Sequence, residues 1–93
     1  MDFSSVHNVH EAAVFAAILE TAPNHPELRR DPDLLADVAC IALNRLPARY
    51  IRHGIDFAFY QTEQERLEDA RRIATAVAQA FDFVQRTLEE GRR

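Results

Sequence analysis

The stretch that decides the fold runs from Asp31 to Tyr50 and reads DPDLLADVACIALNRLPARY. Aspartate can accept hydrogen bonds from the unpaired N–H groups that begin a helix, and proline fits the first helical position because it has no N–H to leave unpaired. A helix is therefore predicted to begin at Pro32. Pro47 disfavours the helical conformation of Leu46, so we expect the helix to end at about that residue.

Apolar side chains cover most of the circumference of this predicted helix: Leu34, Leu35, Val38, Ala39, Ile41, Ala42 and Leu43. A helix that is apolar nearly all round is expected to be buried on nearly every side, which makes it the central helix of the fold. Cys40 lies within the apolar run and is interpreted as a small buried side chain. As the single cysteine of the chain it cannot form an intrachain disulfide.

A first helix is predicted upstream of this stretch. Asn8 and Glu11 have the spacing of a capping box, and an apolar stripe follows them, which predicts a helix from about Asn8 to Ala22. Residues 23–30 are interpreted as a polar connector.

The residues downstream predict an extended arm and a long helix. Apolar and polar side chains alternate over residues 51–60, a pattern typical of a short extended segment. Thr62 and Glu65 form a second capping-box pair, and they open the longest predicted helix, from about Glu63 to Glu90, with Gly91 as its stop. The sequence thus predicts an all-α fold of three main helices, with a short extended arm between the second and the third.

The long helix carries a heptad pattern of apolar residues: Leu67, Ala70, Ala74, Val77, Phe81, Val84 and Leu88. A second apolar row consists of Ile73, Ala76, Ala80 and Phe83. Because a helix of this length extends beyond what two shorter helices can cover, we expect a second copy of the chain to cover the remainder in a homodimer. The alternative is a stripe buried wholly within the monomer.

Composition limits the function classes. The 93 residues are interpreted as one domain, residues 1–93, and the formal net charge of −4 argues against DNA or RNA as a partner. Residues 1–8 lack the positive region of a signal peptide, and no apolar run reaches the roughly 20 residues of a membrane span, so a cytoplasmic protein without a membrane partner is expected. The sequence has no glycine-rich phosphate loop, no nucleophile with a plausible base and no convincing metal set, which predicts a protein without catalytic activity, cofactor or metal.

One segment departs from the acidic composition. Between Asp37 and Asp56 there is no acidic residue, yet four basic residues fall in that window: Arg45, Arg49, Arg52 and His53. Such a basic island in an acidic chain is suited to one small phosphorylated ligand.

Residues 37–50 resemble the hallmark of the late competence development protein ComFB family, an Ala-Leu-Asn-Arg-Leu-Pro-Pro-Arg-Tyr-like run. Ala48 stands where a second proline is usual, and residues 8–11 resemble the Asn-Val-x-Glu opening of the family. The resemblance implies a small helical homodimer and a non-catalytic receptor for a cyclic dinucleotide such as cyclic di-AMP or cyclic di-GMP. Some relatives hold zinc through a cysteine cluster between the first two helices, but the corresponding connector here contains no cysteine, so zinc is not expected.

The residue types of the motif suit such a ligand. Arginine can bond phosphate bidentately and stack on a base, tyrosine can stack on a purine, and asparagine can read a base edge. The candidate ligand-binding residues are Asn44, Arg45, Arg49, Tyr50 and Arg52. Structural alternatives stay open: Asn44 as a cap of the helix end, Arg45 and Arg49 as partners of Asp37 or Asp56, and Tyr50 as a core residue.

The sequence leaves open whether the long helix contributes to this site. Its charged first half suggests ordinary surface pairing, for example of Glu68 with Arg72, although Arg66, Arg71 or Arg72 could border the ligand. The leading hypothesis is a cyclic dinucleotide receptor that relays its signal to an unknown downstream protein, with the extended arm as the moving part. The alternative is a constitutive helical adaptor that has no small-molecule ligand.

Overall fold

The computed structural model describes residues 1–52 and 61–92. Within them lie four α-helices: α1 (Glu11–Thr21), α2 (Pro26–Arg29), α3 (Pro32–Arg45) and α4 (Glu63–Glu90). Two short strands, β1 (His7–Asn8) and β2 (Tyr50–Ile51), pair antiparallel, with His7 opposite Ile51 and Asn8 opposite Tyr50. The prediction of a mostly helical fold with three main helices is confirmed. Most of the predicted arm, residues 53–60, lies outside the described residues.

The bounds of α3 follow the two signals in the sequence. The Asp31 carboxylate accepts hydrogen bonds from the backbone N–H groups of Asp33 at 3.0 Å and Leu34 at 3.3 Å, so it caps the helix as predicted. At the other end Leu46 adopts an extended conformation, with φ −101° and ψ 141°, as expected for a residue before proline.

The long helix also has the predicted bounds. The Thr62 hydroxyl accepts a hydrogen bond from the Glu65 N–H at 3.1 Å, and Gly91 is the C-cap. The α4 helix packs mainly against α3 and next against α1, and it contributes nearly half of the buried apolar side chains in the described part of the chain. These are Ile73, Ala76, Val77, Ala80, Phe81 and Val84, which meet Val14 and Ile18 of α1 and Val38 and Ala42 of α3.

The start of α1 differs from the prediction. The helix begins at Glu11, and its N-cap residue His10 makes no side-chain capping bond. Asn8 lies in β1 instead, so the capping-box interpretation of Asn8 and Glu11 is wrong. The polar connector is also more ordered than predicted, because it contains a 3₁₀ turn (Ala22–Asn24) and α2, whose Leu28 is fully buried. Proline at the start of each of these elements explains why such short turns form.

The prediction that α3 is buried on nearly every side is wrong. Only Val38 and Ala42 within the helix are buried, and Cys40, predicted to be buried, is exposed. The α1 and α4 helices cover one side of α3, and the described part of the chain leaves its opposite side open to solvent.

The two halves of the heptad pattern on α4 differ in burial. Val77, Phe81 and Val84 belong to the core of the monomer, whereas Leu67, Ala70 and Ala74 are exposed. The second half of the stripe is therefore buried within the monomer, whereas the first half is not.

Candidate functional site

The motif after α3 forms a turn that is anchored by one apolar side chain. Leu46 is 8% exposed and lies in the core, while Pro47, Ala48 and Arg49 after it are exposed. Because Pro47 makes the helix end at this point, the chain leaves α3 and passes across the middle of α4. We call residues 46–49 the motif turn.

Hydrogen bonds from the N-terminal segment also hold the motif turn in place. The Val9 N–H donates to the Arg49 carbonyl oxygen at 2.7 Å, next to the pairing of Asn8 with Tyr50. The buried Asn8 side chain accepts hydrogen bonds through Oδ1 from the backbone N–H groups of His10 at 3.2 Å and Arg49 at 3.4 Å. Asn8 thus supplies a hydrogen-bond acceptor to a backbone N–H group of the motif turn. It has this role instead of the predicted capping of α1.

All five predicted site residues are exposed at this end of α3 and in the segment that follows it: Asn44, Arg45, Arg49, Tyr50 and Arg52. Tyr50 is 67% exposed, so the alternative that made it a core residue is wrong. Arg45 donates through Nη1 to Oε1 of Gln79 on α4 at 3.0 Å, and this contact replaces the suggested pairing with Asp37. Asp56 lies outside the described residues.

Two adjoining depressions flank the motif turn. The first, which we call the Arg45 depression, has a volume of about 300 Å³ and is lined by Arg45, Arg71, Arg72, Thr75 and Gln79 over Leu46, Pro47 and Ala76. The second, the Arg49 depression, has a volume of about 240 Å³ and is lined by His10, Arg49, Asp69, Arg72 and Ile73 beside residues 46–48. Arg72 borders both, whereas Asn44, Tyr50 and Arg52 line neither. The structure therefore brings Arg45 and Arg49 to one site with α4.

The two depressions differ in charge. Among the residues that the structure describes, three guanidinium groups and no carboxylate line the Arg45 depression. In the Arg49 depression the Asp69 carboxylate lies 3.7 Å from Arg72 and accepts a hydrogen bond from Gln61 Nε2 at 2.7 Å. An anionic group is consequently attracted more strongly to the Arg45 depression.

The sequence did not decide whether α4 contributes residues to the ligand site, and it favoured ordinary surface pairing of the charges on this helix. Arg72 pairs with Asp69 rather than with Glu68, and Arg66 pairs with Glu63 away from both depressions. The available signal was the spacing of four between Arg71, Thr75 and Gln79, which sets them in one polar row beside the buried face of α4.

Two other kinds of site are absent from the described residues. No group of three or more histidine, cysteine or acidic side chains in residues 1–52 and 61–92 is arranged to hold a metal ion. None of the helices described is long and apolar enough to cross a membrane.

The chain matches no curated protein and no solved structure. Residues 7–88 match the family described as Late competence development protein ComFB, and this match includes both strands, all of α1 to α3 and nearly all of α4. Because the match covers most of the 93 residues, the chain belongs to the late competence development protein ComFB family.

Proposed function

We propose that this protein is a non-catalytic receptor that binds a cyclic dinucleotide, cyclic di-AMP or cyclic di-GMP, at the motif turn and relays the signal to a protein partner. The observation that carries the proposal is the placement of Arg45 and Arg49 on the two sides of the buried Leu46, each beside a depression that Arg72 also borders. A cluster of arginines in a chain of net charge −4 favours a small anion over a polyanion.

The chemistry of the site suits both parts of such a ligand. A cyclic dinucleotide presents phosphates, which the guanidinium fork can bond bidentately, and purine faces, on which planar side chains stack. Tyr50, at 67% exposure, is available for stacking, an interaction that contributes about 1–3 kcal/mol per base. Asn44 and Arg52 are exposed in the same segment and can add polar contacts to the bases or phosphates.

A homodimer is part of the proposal, and the uncovered side of α3 supports it. A groove of about 500 Å³ between α1 and α3 is lined almost wholly by apolar side chains, among them Phe15, Leu19, Leu35 and Leu43. A second groove, of about 370 Å³, lies between α3 and α4 and is lined by Leu34, Ile41, Phe83 and Leu88 among others. Cys40 borders both grooves, so the apolar surface continues across α3. We call this surface the α3 face.

An apolar surface of this continuity favours contact with another protein, and a second copy is the occupant that we propose. In a two-fold dimer the motif turn occurs twice, which matches the two-fold symmetry of a cyclic dinucleotide with identical bases. The same α3 face also favours the second candidate function, a constitutive helical adaptor without a small-molecule ligand. Ligand binding discriminates between the two.

The test is ligand-induced thermal stabilisation of purified protein. A ligand at 100 times its dissociation constant adds about 2.7 kcal/mol to the stability of the native state, which raises the melting temperature measurably. We expect stabilisation by one cyclic dinucleotide and not by its linear form, and its loss in Arg49→Ala with unchanged helicity. Arg29→Ala, which removes an exposed arginine of α2, is the control that should respond like the wild type. If neither cyclic ligand stabilises the wild type, the adaptor is favoured.

A further inference from the structure

The long helix presents a polar row to the motif turn. Arg71, Thr75 and Gln79 follow one another at intervals of four, and Arg72 lies next to the first of them. All four side chains line the Arg45 depression. Residues four apart in an α-helix lie on the same face, so this row is fixed by the helix itself and does not depend on a loop.

The floor between this row and the motif turn is apolar. Leu46 and Ala76 are 8% and 4% exposed, and Pro47 completes the floor. Charged groups thus rim a shallow apolar base of about 300 Å³. Guanidinium groups beside an apolar surface are less well hydrated than in open water, which strengthens their attraction for an anion.

The positive charge of this depression is largely uncompensated. Within residues 1–52 and 61–92, neither Arg45 nor Arg71 has a carboxylate within ion-pair distance, and Arg72 has one at 3.7 Å, on Asp69. Arg45 is positioned by the neutral Gln79, which fixes the guanidinium group without cancelling its charge. Three cations that share one depression repel each other, and a bound anion relieves that repulsion.

From this arrangement we infer that Arg71 and Arg72 of α4, together with Arg45, bind a phosphate group of the ligand in the Arg45 depression. The inference rests on the proposed function and adds residues from outside the motif to its site. Thr75 offers a hydroxyl donor on the same row.

The neighbouring Arg49 depression is assigned to the sugar and base next to that phosphate, so that each protomer of a dimer contacts one half of the ligand. Its Asp69 carboxylate repels a phosphate, whereas it can accept hydrogen bonds from donors on a sugar or a base. Arg72 borders both depressions, so a ligand that occupies both contacts α3, the motif turn and α4 at once. Binding is therefore expected to fix the end of α3 against the middle of the long helix.

The experiment is a calorimetric titration of the wild type and of the double variant Arg71→Gln/Arg72→Gln with cyclic di-AMP and cyclic di-GMP. Glutamine keeps the helix propensity and much of the side-chain length while it removes the charge. Arg86→Gln is the matched control, because Arg86 is equally exposed on the same helix and pairs with Asp82 at 2.8 Å, away from the depressions. Circular dichroism and the melting temperature check that each variant folds.

We expect the affinity of the double variant to fall by about tenfold or more, since each lost bond to a charged group weakens binding by that order. The salt dependence of its remaining affinity should also be smaller, because fewer charges contact the ligand. The single variant Arg71→Gln, which has no ion pair to lose in the described structure, should show part of the same loss. Arg86→Gln should bind like the wild type.

Two different outcomes overturn the inference. If the wild type binds a cyclic dinucleotide and the folded double variant binds it equally well, the inference is wrong while the proposed function stands. If the wild type binds neither ligand, the proposed function and the inference fall together.

Discussion

The side-chain oxygen of Asn8 lies 3.4 Å from the backbone nitrogen of Arg49, 41 residues later in the chain, and accepts its hydrogen bond. The same oxygen accepts a bond from the His10 N–H, and the Val9 N–H donates to the Arg49 carbonyl. The start of the chain therefore positions the backbone of a candidate ligand-binding arginine. A substitution at Asn8 should therefore alter the position of the Arg49 backbone, although Asn8 itself lines neither depression.

Asn8→Ala tests this connection. The substitution removes an acceptor from two backbone N–H groups at a side chain that is 7% exposed, which should cost about 1–3 kcal/mol of unfolding free energy. Urea denaturation followed by circular dichroism measures this change. Asn24→Ala, at an exposed position, is the control and should change stability little. Equal stability of the wild type and Asn8→Ala would contradict the role given to Asn8.

Phe81 is the largest fully buried side chain within residues 1–52 and 61–92 and belongs to the core. The ring of His25 stacks on it, with centroids 4.7 Å apart and an interplanar angle of 17°, so Phe81 also holds the connector against α4. Phe81→Ala should reduce the unfolding free energy by about 3–5 kcal/mol, measured by urea denaturation. Phe3→Ala, at a phenylalanine that is 67% exposed, should have little effect, and a similar loss in both variants would contradict this description of the core.

The location of the proposed dimer interface can be tested with two glutamate substitutions. Leu19 is 71% exposed and lines the groove between α1 and α3, whereas Ala74 belongs to the exposed part of the heptad seam on α4. If the α3 face forms the interface, Leu19→Glu should give a monomeric mass by light scattering, because it buries a charge in the contact. Ala74→Glu should keep the mass of the wild type. The reverse result would place the interface on the heptad seam, and a monomeric wild type would contradict the dimer.

The pair Glu27–Arg92 connects α2 to the end of α4 and should make stability depend on pH. The hydrogen bond from Arg92 holds the pKa of the Glu27 carboxyl below its ordinary value of 4.5. A carboxyl whose pKa is lower in the folded state stabilises that state above its unfolded pKa, and the contribution is lost as the pH falls through the folded pKa.

The difference in stability between the wild type and Glu27→Gln should therefore be present at neutral pH and shrink as the pH falls below about 4.5. Urea denaturation over a series of pH values measures it. The effect should be small, because the pair is at the surface. Glu20→Gln, at an exposed glutamate without an ion pair in the described structure, is the control, and a difference that grows on acidification would contradict the assignment.

Local signals explain which parts of the fold were predictable. Asp31 and Pro47 set the bounds of α3, and Thr62 and Gly91 those of α4, because caps and prolines act on the backbone within one turn. The capping-box spacing of Asn8 and Glu11 was misleading because the Asn8 side chain also accepts a hydrogen bond from Arg49, 41 residues away, and no local pattern shows such a contact.

Burial and the contribution of α4 depend on tertiary packing. The apolar circumference of α3 predicted a buried Cys40, but the described helices of one chain cover only part of α3 and leave Cys40 exposed. The position of Arg45 and Arg49 at the end of α3 was predictable from the motif. The sequence left the role of Arg71 and Arg72 open, since only the crossing of the motif turn over α4 brings them beside Arg45.

The proposed receptor function is tested most directly by isothermal titration calorimetry of the wild-type protein with cyclic di-AMP and cyclic di-GMP, with a linear dinucleotide as the control. We predict binding of one cyclic ligand with a dissociation constant of about 1 µM or lower, at close to one ligand per dimer, and no comparable binding of the linear form. Absence of binding to both cyclic ligands at concentrations of about 1 mM would contradict the receptor function.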